Sequence, residues 1–309
     1  MRLSLAQDLP DFQEMAYKPH KIIREKVVKK ENQKQFWKVF FIEGGLFLFT
    51  SVLSIISAFE LNKLIKTKEL YLPVASWQDF LFSFLFVMFF VLIFVLYRNK
   101  KVNKFKEIIY KGLFSVIVLW GGMTVLDLFL PVFGAIFIMG VLIVLWLEFP
   151  SVWVHDILMV LGLSGAASFF GLGFTPSVVV ALLLIFSVYD FIAVYKTKHM
   201  IAMAKEMLDK KVVLGFIIPK EIRFFRDNFR NVKPGGNFII IGGGDIIFPG
   251  LLAVSIVPQS FLKALIIVIF SLSGLFFSYW LFAREKEPVP ALPPIALLSI
   301  VGYLITILL

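Results

Sequence analysis

The 309-residue chain is 59% hydrophobic and 16% aromatic, with mean hydropathy +0.89 and a formal net charge of +10 from 31 Lys and Arg against 21 Asp and Glu. No water-surrounded core uses that much apolar surface, so a soluble globule is excluded and lipid is the solvent for most of the chain. Cysteine is absent, which excludes disulfides, thiolate metal sites and a cysteine nucleophile.

The amino-terminal segment is polar and basic and carries no apolar run ending in a small-residue cleavage site, so the sequence predicts a basic cytoplasmic arm over 1–37 rather than a removable signal peptide. From Lys38 onward, apolar runs of about 20 residues recur, each enough to cross a hydrocarbon core. They predict an all-α polytopic membrane protein with nine transmembrane helices, its domain spanning 38–309. The expected spans are Lys38 to Ala58, Phe80 to Tyr97, Ile109 to Phe129, Pro131 to Leu147, Val152 to Gly171, Pro176 to Tyr195, Asn237 to Val257, Phe261 to Ala283 and Val289 to Leu309. The apolar stretches 109–147 and 152–195 are each about twice one bilayer thickness, so each must turn. Asp127 with Pro131 marks one turn, and Gly171, Gly173, Thr175 and Pro176 mark the other.

With nine spans and the amino terminus inside, 27 of the 31 Lys and Arg fall on cytoplasmic segments; only Lys63, Lys66, Lys68 and Lys263 remain outside. The positive-inside bias thus puts the N-terminus in the cytoplasm and the C-terminus outside, and reads the basic charge as topology rather than nucleic-acid binding. The only long loop, 196–236, is cytoplasmic. Within it Met200, Met203, Ala204, Met207 and Leu208 follow helical spacing beside Lys205, Lys210 and Lys211, which fits either a surface amphipathic helix or a solvated connector.

Ionisable side chains inside apolar spans cost several kcal/mol by insertion estimates and need a reason. Asp190 lies in SVYDFIAVY and Asp245 in FIIIGGGDIIFPG. Asp190 falls roughly 8 Å, and Asp245 roughly 12 Å, from the cytoplasmic ends of antiparallel spans at 1.5 Å per residue. They sit at similar depth and can face one another. Two carboxyls facing in low dielectric share a proton, so one can deprotonate a water while the other protonates a peptide carbonyl.

Gly242, Gly243 and Gly244 precede Asp245. Three glycines weaken a helix and admit a close backbone neighbour, although they also serve as plain helix contacts. The last span opens EPVPALPPIALL; its Pro288, Pro290, Pro293 and Pro294 predict irregular backbone at the level of the aspartates, or simply a helix start.

These residues together resemble the presenilin and signal peptide peptidase family of GxGD intramembrane aspartyl proteases. Tyr189-Asp190 resembles its YD motif, Gly242-Gly243-Gly244-Asp245 its GxGD, and Pro290-Ala291-Leu292 its PAL, in the family's order. The nine-helix plan and cytoplasmic amino terminus resemble presenilins rather than the inverted signal peptide peptidases. The compact chain, lacking the long hydrophobic loop of animal presenilins, resembles microbial, archaeal homologues. The resemblance implies Asp190 and Asp245 as the catalytic pair, with Tyr189, the three glycines, Pro290, Ala291 and Leu292 shaping the site. It implies no cofactor or metal, and substrates that are single transmembrane helices or signal peptides, cut in the cell membrane toward its cytoplasmic side without an accessory subunit.

Three other chemistries compete. Gly162-Leu163-Ser164-Gly165 spells the GxSG of a rhomboid-type serine protease, but His20, His155 and His199, the only histidines, are expected in tails or interfaces, and a small-residue helix contact explains the tetrad better. No HExxH or similar ligand spacing supports zinc proteolysis. An ion-coupled secondary transporter also uses midmembrane carboxylates on broken helices; the third motif and the lack of a repeat argue against it. Glu43, Asp127, Lys111 and Lys263 are expected to be structural, the lysines snorkelling.

Overall fold

A computed structural model describes residues 12–69, 78, 111–112, 114–196, 207–208, 212–232, 236–285 and 289–309, with side chains from Lys34 onward. The expected span 80–97 and the methionine-rich stretch Met200 to Ala204 lie outside these residues.

Among the described residues eight helices carry the fold: α1 (Phe12–Thr67), α2 (Phe114–Phe129), α3 (Val132–Glu148), α4 (Val152–Gly173), α5 (Pro176–Phe191), α6 (Gly243–Ile256), α7 (Phe261–Glu285) and α8 (Leu292–Leu308). Four stretches of these residues are long and apolar enough to cross a membrane: Lys34–Thr67, Val152–Gly173, Pro176–Lys196 and Phe261–Arg284. The two long apolar stretches turn where the sequence breaks them. Leu130 is extended between α2 and α3, with Pro131 capping α3. Phe174 and Thr175 are extended between α4 and α5, and Pro176 starts α5, where a missing N–H costs nothing. Large apolar side chains such as Phe41, Phe133 and Phe137 stay exposed on the outer surface, as expected where the neighbour is lipid.

Small residues bring the helices together. A Cβ on Gly165 would lie 1.9 Å from the Gly121 carbonyl oxygen, so α2 and α4 cross backbone to backbone and only glycine fits. This contact, and the Ser164 Oγ bond to the Thr50 carbonyl at 3.0 Å, account for the GxSG tetrad. On the other side, Ser271 and Ser299 hydroxyls meet at 2.7 Å between α7 and α8. Lys263 does more than snorkel: its Nζ donates to the Thr306 carbonyl at 2.7 Å, a cation on the C-terminal end of α8.

The stretch from Asn237 departs from the sequence expectation of one continuous helix. Phe238–Gly242 is a strand, β2, pairing antiparallel with β1 (Gly215–Pro219), and α6 begins only at Gly243. Phe-Ile-Ile-Ile is β-branched and aromatic, and such a short apolar run has no helical commitment once a partner strand is available. At 14 residues α6 is only about 21 Å long, short of a hydrocarbon core of about 30 Å. The strand supplies the missing length.

Bonds flanking the ladder set its phase: Gly243 N–H donates to Leu214 O at 3.0 Å and Lys220 N–H to Asn237 O at 2.8 Å. By antiparallel alternation, Phe216 and Ile218 turn their backbone groups toward β2, while Gly215, Ile217 and Pro219 turn theirs away; on β2, Phe238, Ile240 and Gly242 face away from β1.

Candidate active site

Asp190 stands near the end of α5, where the helix runs into a π-helical turn, Ile192–Lys196. Asp245 occupies the first turn of α6, directly after the strand-to-helix junction. The expected depth of eight residues along a helix is therefore corrected: Asp245 is carried inward mostly by β2. The helices pack together, and the two carboxyls, 5% and 6% exposed, lie within electrostatic range of one another.

Leu292 N–H, at the start of α8, donates to Asp190 Oδ2 at 3.1 Å. Val289, Pro290 and Ala291 precede the helix as irregular backbone, with Pro290 and Leu292 buried. Prolines at 293 and 294 cannot donate, but the amide at 292 can, and it reaches the aspartate. Asp245 lies against Gly242, whose backbone leaves little room for a side chain beside the carboxyl.

The glycine run has a different use from weakening a helix interior. Gly242 ends β2, Gly243 opens α6 with its N–H on Leu214, and both sit where chain and carboxylate approach closely. A Cβ on Gly242 would meet Asp245 Oδ2 at 3.3 Å, and one on Gly243 would meet the Leu214 carbonyl oxygen at 3.3 Å. Gly244 faces Phe248 at the same separation.

The structure thus gathers Asp190, Asp245, Gly242, Gly243, Ala291 and Leu292. Tyr189 is 53% exposed, because its neighbour Asp190 points inward and a helix turns successive side chains by 100°. Glu43 of α1, expected to be structural, is 5% exposed and within electrostatic range of both Asp245 and Tyr279; its Oε2 has no hydrogen-bond partner among the described residues. The one sequence signal for it was a carboxyl inside the first span. His155, expected at an interface, is instead fully buried.

Two buried carboxyls on adjacent helices of a lipid-facing bundle are an arrangement compatible with aspartyl hydrolysis inside a membrane. The family profile described as signal-peptide peptidase, presenilin aspartyl protease matches residues 44–309, and the chain belongs to that family. Its fold is similar to solved structures of a presenilin family intramembrane aspartate protease in two crystal forms. Each has 26% identity and a TM-score of 0.56 and covers 86% of this chain, and the match spans 98% and 96% of the solved chains. Among curated proteins, no match was found. The chain is an integral membrane protein and an intramembrane aspartyl protease; membership of this family decides against ion-coupled transport.

Proposed function

We propose that Asp190 and Asp245 are the catalytic pair, and that the enzyme hydrolyses peptide bonds within transmembrane segments or signal peptides. The observation that carries this reading is the juxtaposition of the two buried carboxyls on packed helices, with Asp190 held by the Leu292 amide. The ionised carboxylate takes a proton from a water as its oxygen attacks the scissile carbonyl carbon, and the protonated carboxyl donates to the carbonyl oxygen. Collapse of the tetrahedral intermediate breaks the C–N bond, and the proton taken from water passes to the departing nitrogen.

Nine spans, a cytoplasmic amino terminus and an outer carboxyl terminus complete the proposal, supported by the distribution of Lys and Arg. The site then opens toward the cytoplasmic side of the cell membrane. A single-span substrate enters laterally, unwinds near the site and lies extended between Asp245 and Pro290 to Leu292; no accessory subunit is required. The outward-facing backbone of Phe238 and Ile240 supports this reading, since an extended chain needs partners for its own amides.

The test is cleavage of a generic transmembrane substrate by the purified full chain in detergent. Asp190→Ala and Asp245→Ala are each expected to lower kcat by about 10³-fold or more, as for residues acting as a unit, and a transition-state inhibitor of aspartyl proteases to block the wild type. Cleavage surviving either substitution would remove the dyad.

A further inference from the structure

Two buried ionisable residues on α4 have no part in the chemistry above. His155 is 0% and Asp156 is 2% exposed, adjacent in the first turns of a membrane-crossing helix. A histidine and a carboxyl kept away from water require partners, and one polar atom of each finds one on the same short strand, while His155 Nδ1 and Asp156 Oδ2 have none among the described residues. His155 Nε2 donates to the Gly215 carbonyl at 3.0 Å, and Ile217 N–H donates to Asp156 Oδ1 at 3.0 Å.

The phase of the ladder gives these bonds their meaning. Gly215 and Ile217 are the β1 residues whose backbone groups face away from β2, so α4 side chains occupy the edge of β1 opposite its partner strand. One donor and one acceptor, offered two residues apart along β1, imitate what a neighbouring strand would supply. Pro219, the next outward-facing position, has no N–H to leave open. On this edge α4 stands where a third strand would.

We propose that His155 and Asp156 are positioning residues of the proteolytic site: a side-chain clamp that fixes β1, and through the β1–β2 register sets where Gly242 delivers Asp245. The path is short and continuous. Gly215, held by His155, stands opposite Gly242 in the register; next to it the Leu214 carbonyl accepts from Gly243 N–H at 3.0 Å, and Gly242 lies so close to the Asp245 carboxyl that a Cβ there would be 3.3 Å from Oδ2. The ring of His155 is itself fixed between Phe114 and Phe229, at 5.3 and 5.0 Å between centroids. A substrate gripped by the α8 entry is then cut at a position set by Asp245, so a loosened clamp misplaces the cut as well as slowing it.

The inference rests on the Asp190 and Asp245 assignment, and its test separates the two. His155→Phe keeps the ring between its aromatic neighbours and deletes only the donor; Asp156→Ala deletes the acceptor; Asp156→Asn retains an acceptor oxygen. Each full-length variant is assayed in detergent for kcat, KM, folded fraction by thermal unfolding, and cut positions by mass spectrometry of the products. His155→Phe and Asp156→Ala are expected to lose about 10–100-fold in kcat at nearly unchanged KM, as for misplacement of order 1 Å, and to spread cleavage over neighbouring bonds. Asp156→Asn is expected to restore the wild-type cut positions and most of kcat. Should Asp156→Ala fail to fold, His155→Phe decides alone. Wild-type cut positions with kcat falling only in proportion to folded protein would overturn the clamp while Asp245→Ala remains inactive. If Asp245→Ala itself stays active, the dyad reading fails, and the clamp with it.

Discussion

Asp190 and Asp245 reach the same place by opposite means. Asp190 rides on a regular helix and depends on an amide 102 residues away, at the entry to α8. Asp245 stands at a strand-to-helix junction, with Gly242, three residues back in its own chain, close against its carboxyl. One carboxyl is placed by tertiary packing, the other by local backbone geometry. On the proposed assignment either half of the site can be lost independently, and the routes of loss differ.

The largest effect separating the two is expected at the local brace. In Gly242→Val the new Cβ sits 3.3 Å from Asp245 Oδ2, and two further methyl groups must find room in the same corner. The carboxyl is displaced while Asp190 keeps its bond to α8, so kcat should fall about 100-fold with little loss of thermal stability. Equal losses in Tm and kcat would mean that the glycine matters to folding rather than to placement.

Leu292→Ala probes the distant brace and should do less to the chemistry. The substitution keeps the N–H that binds Asp190 but removes a side chain that is 3% exposed and packed into the α6–α8 core. A cost of about 2–3 kcal/mol in stability is expected, with kcat of the folded fraction reduced less than in Gly242→Val. Parallel unfolding and activity measurements read both quantities. A loss of activity larger than that of Gly242→Val would reverse the ranking and make the α8 entry the dominant brace.

The same contrast explains how much could be read beforehand. The spans around Asp190 were legible because a helix in lipid writes its length in apolar residues and its ends in Gly, Thr and Pro, and the α4–α5 turn at Phe174 and Thr175 followed those marks. The strand before Asp245 was hidden for a physical reason: Phe238 to Ile241 is as apolar as a helix would be, and its strand character depends on Gly215 to Pro219 lying alongside, a pairing across the loop that no local pattern encodes. His155 and Asp156 were obscured likewise, since their partners are backbone groups and leave no sequence signature. That Asp190 and Asp245 lie on neighbouring helices was legible because both carboxyls stand in apolar runs; their catalytic role remains the proposal.

Glu43 offers the smallest effect and a check on what surrounds Asp245. Its Oε2 is buried with no hydrogen-bond partner among the described residues, and such an oxygen costs about 1–3 kcal/mol of stability. Glu43→Leu removes that cost and adds apolar packing between α1 and Tyr279 on α7, so thermal stability should rise, by about 1 kcal/mol. On the proposed assignment the stabilised variant, having lost a carboxyl within electrostatic range of Asp245, should cleave more slowly than wild type. A fall in Tm would show instead that water satisfies Oε2, which would extend a hydrated pocket from the dyad to α1 and bring Glu43 within reach of the water that attacks the substrate.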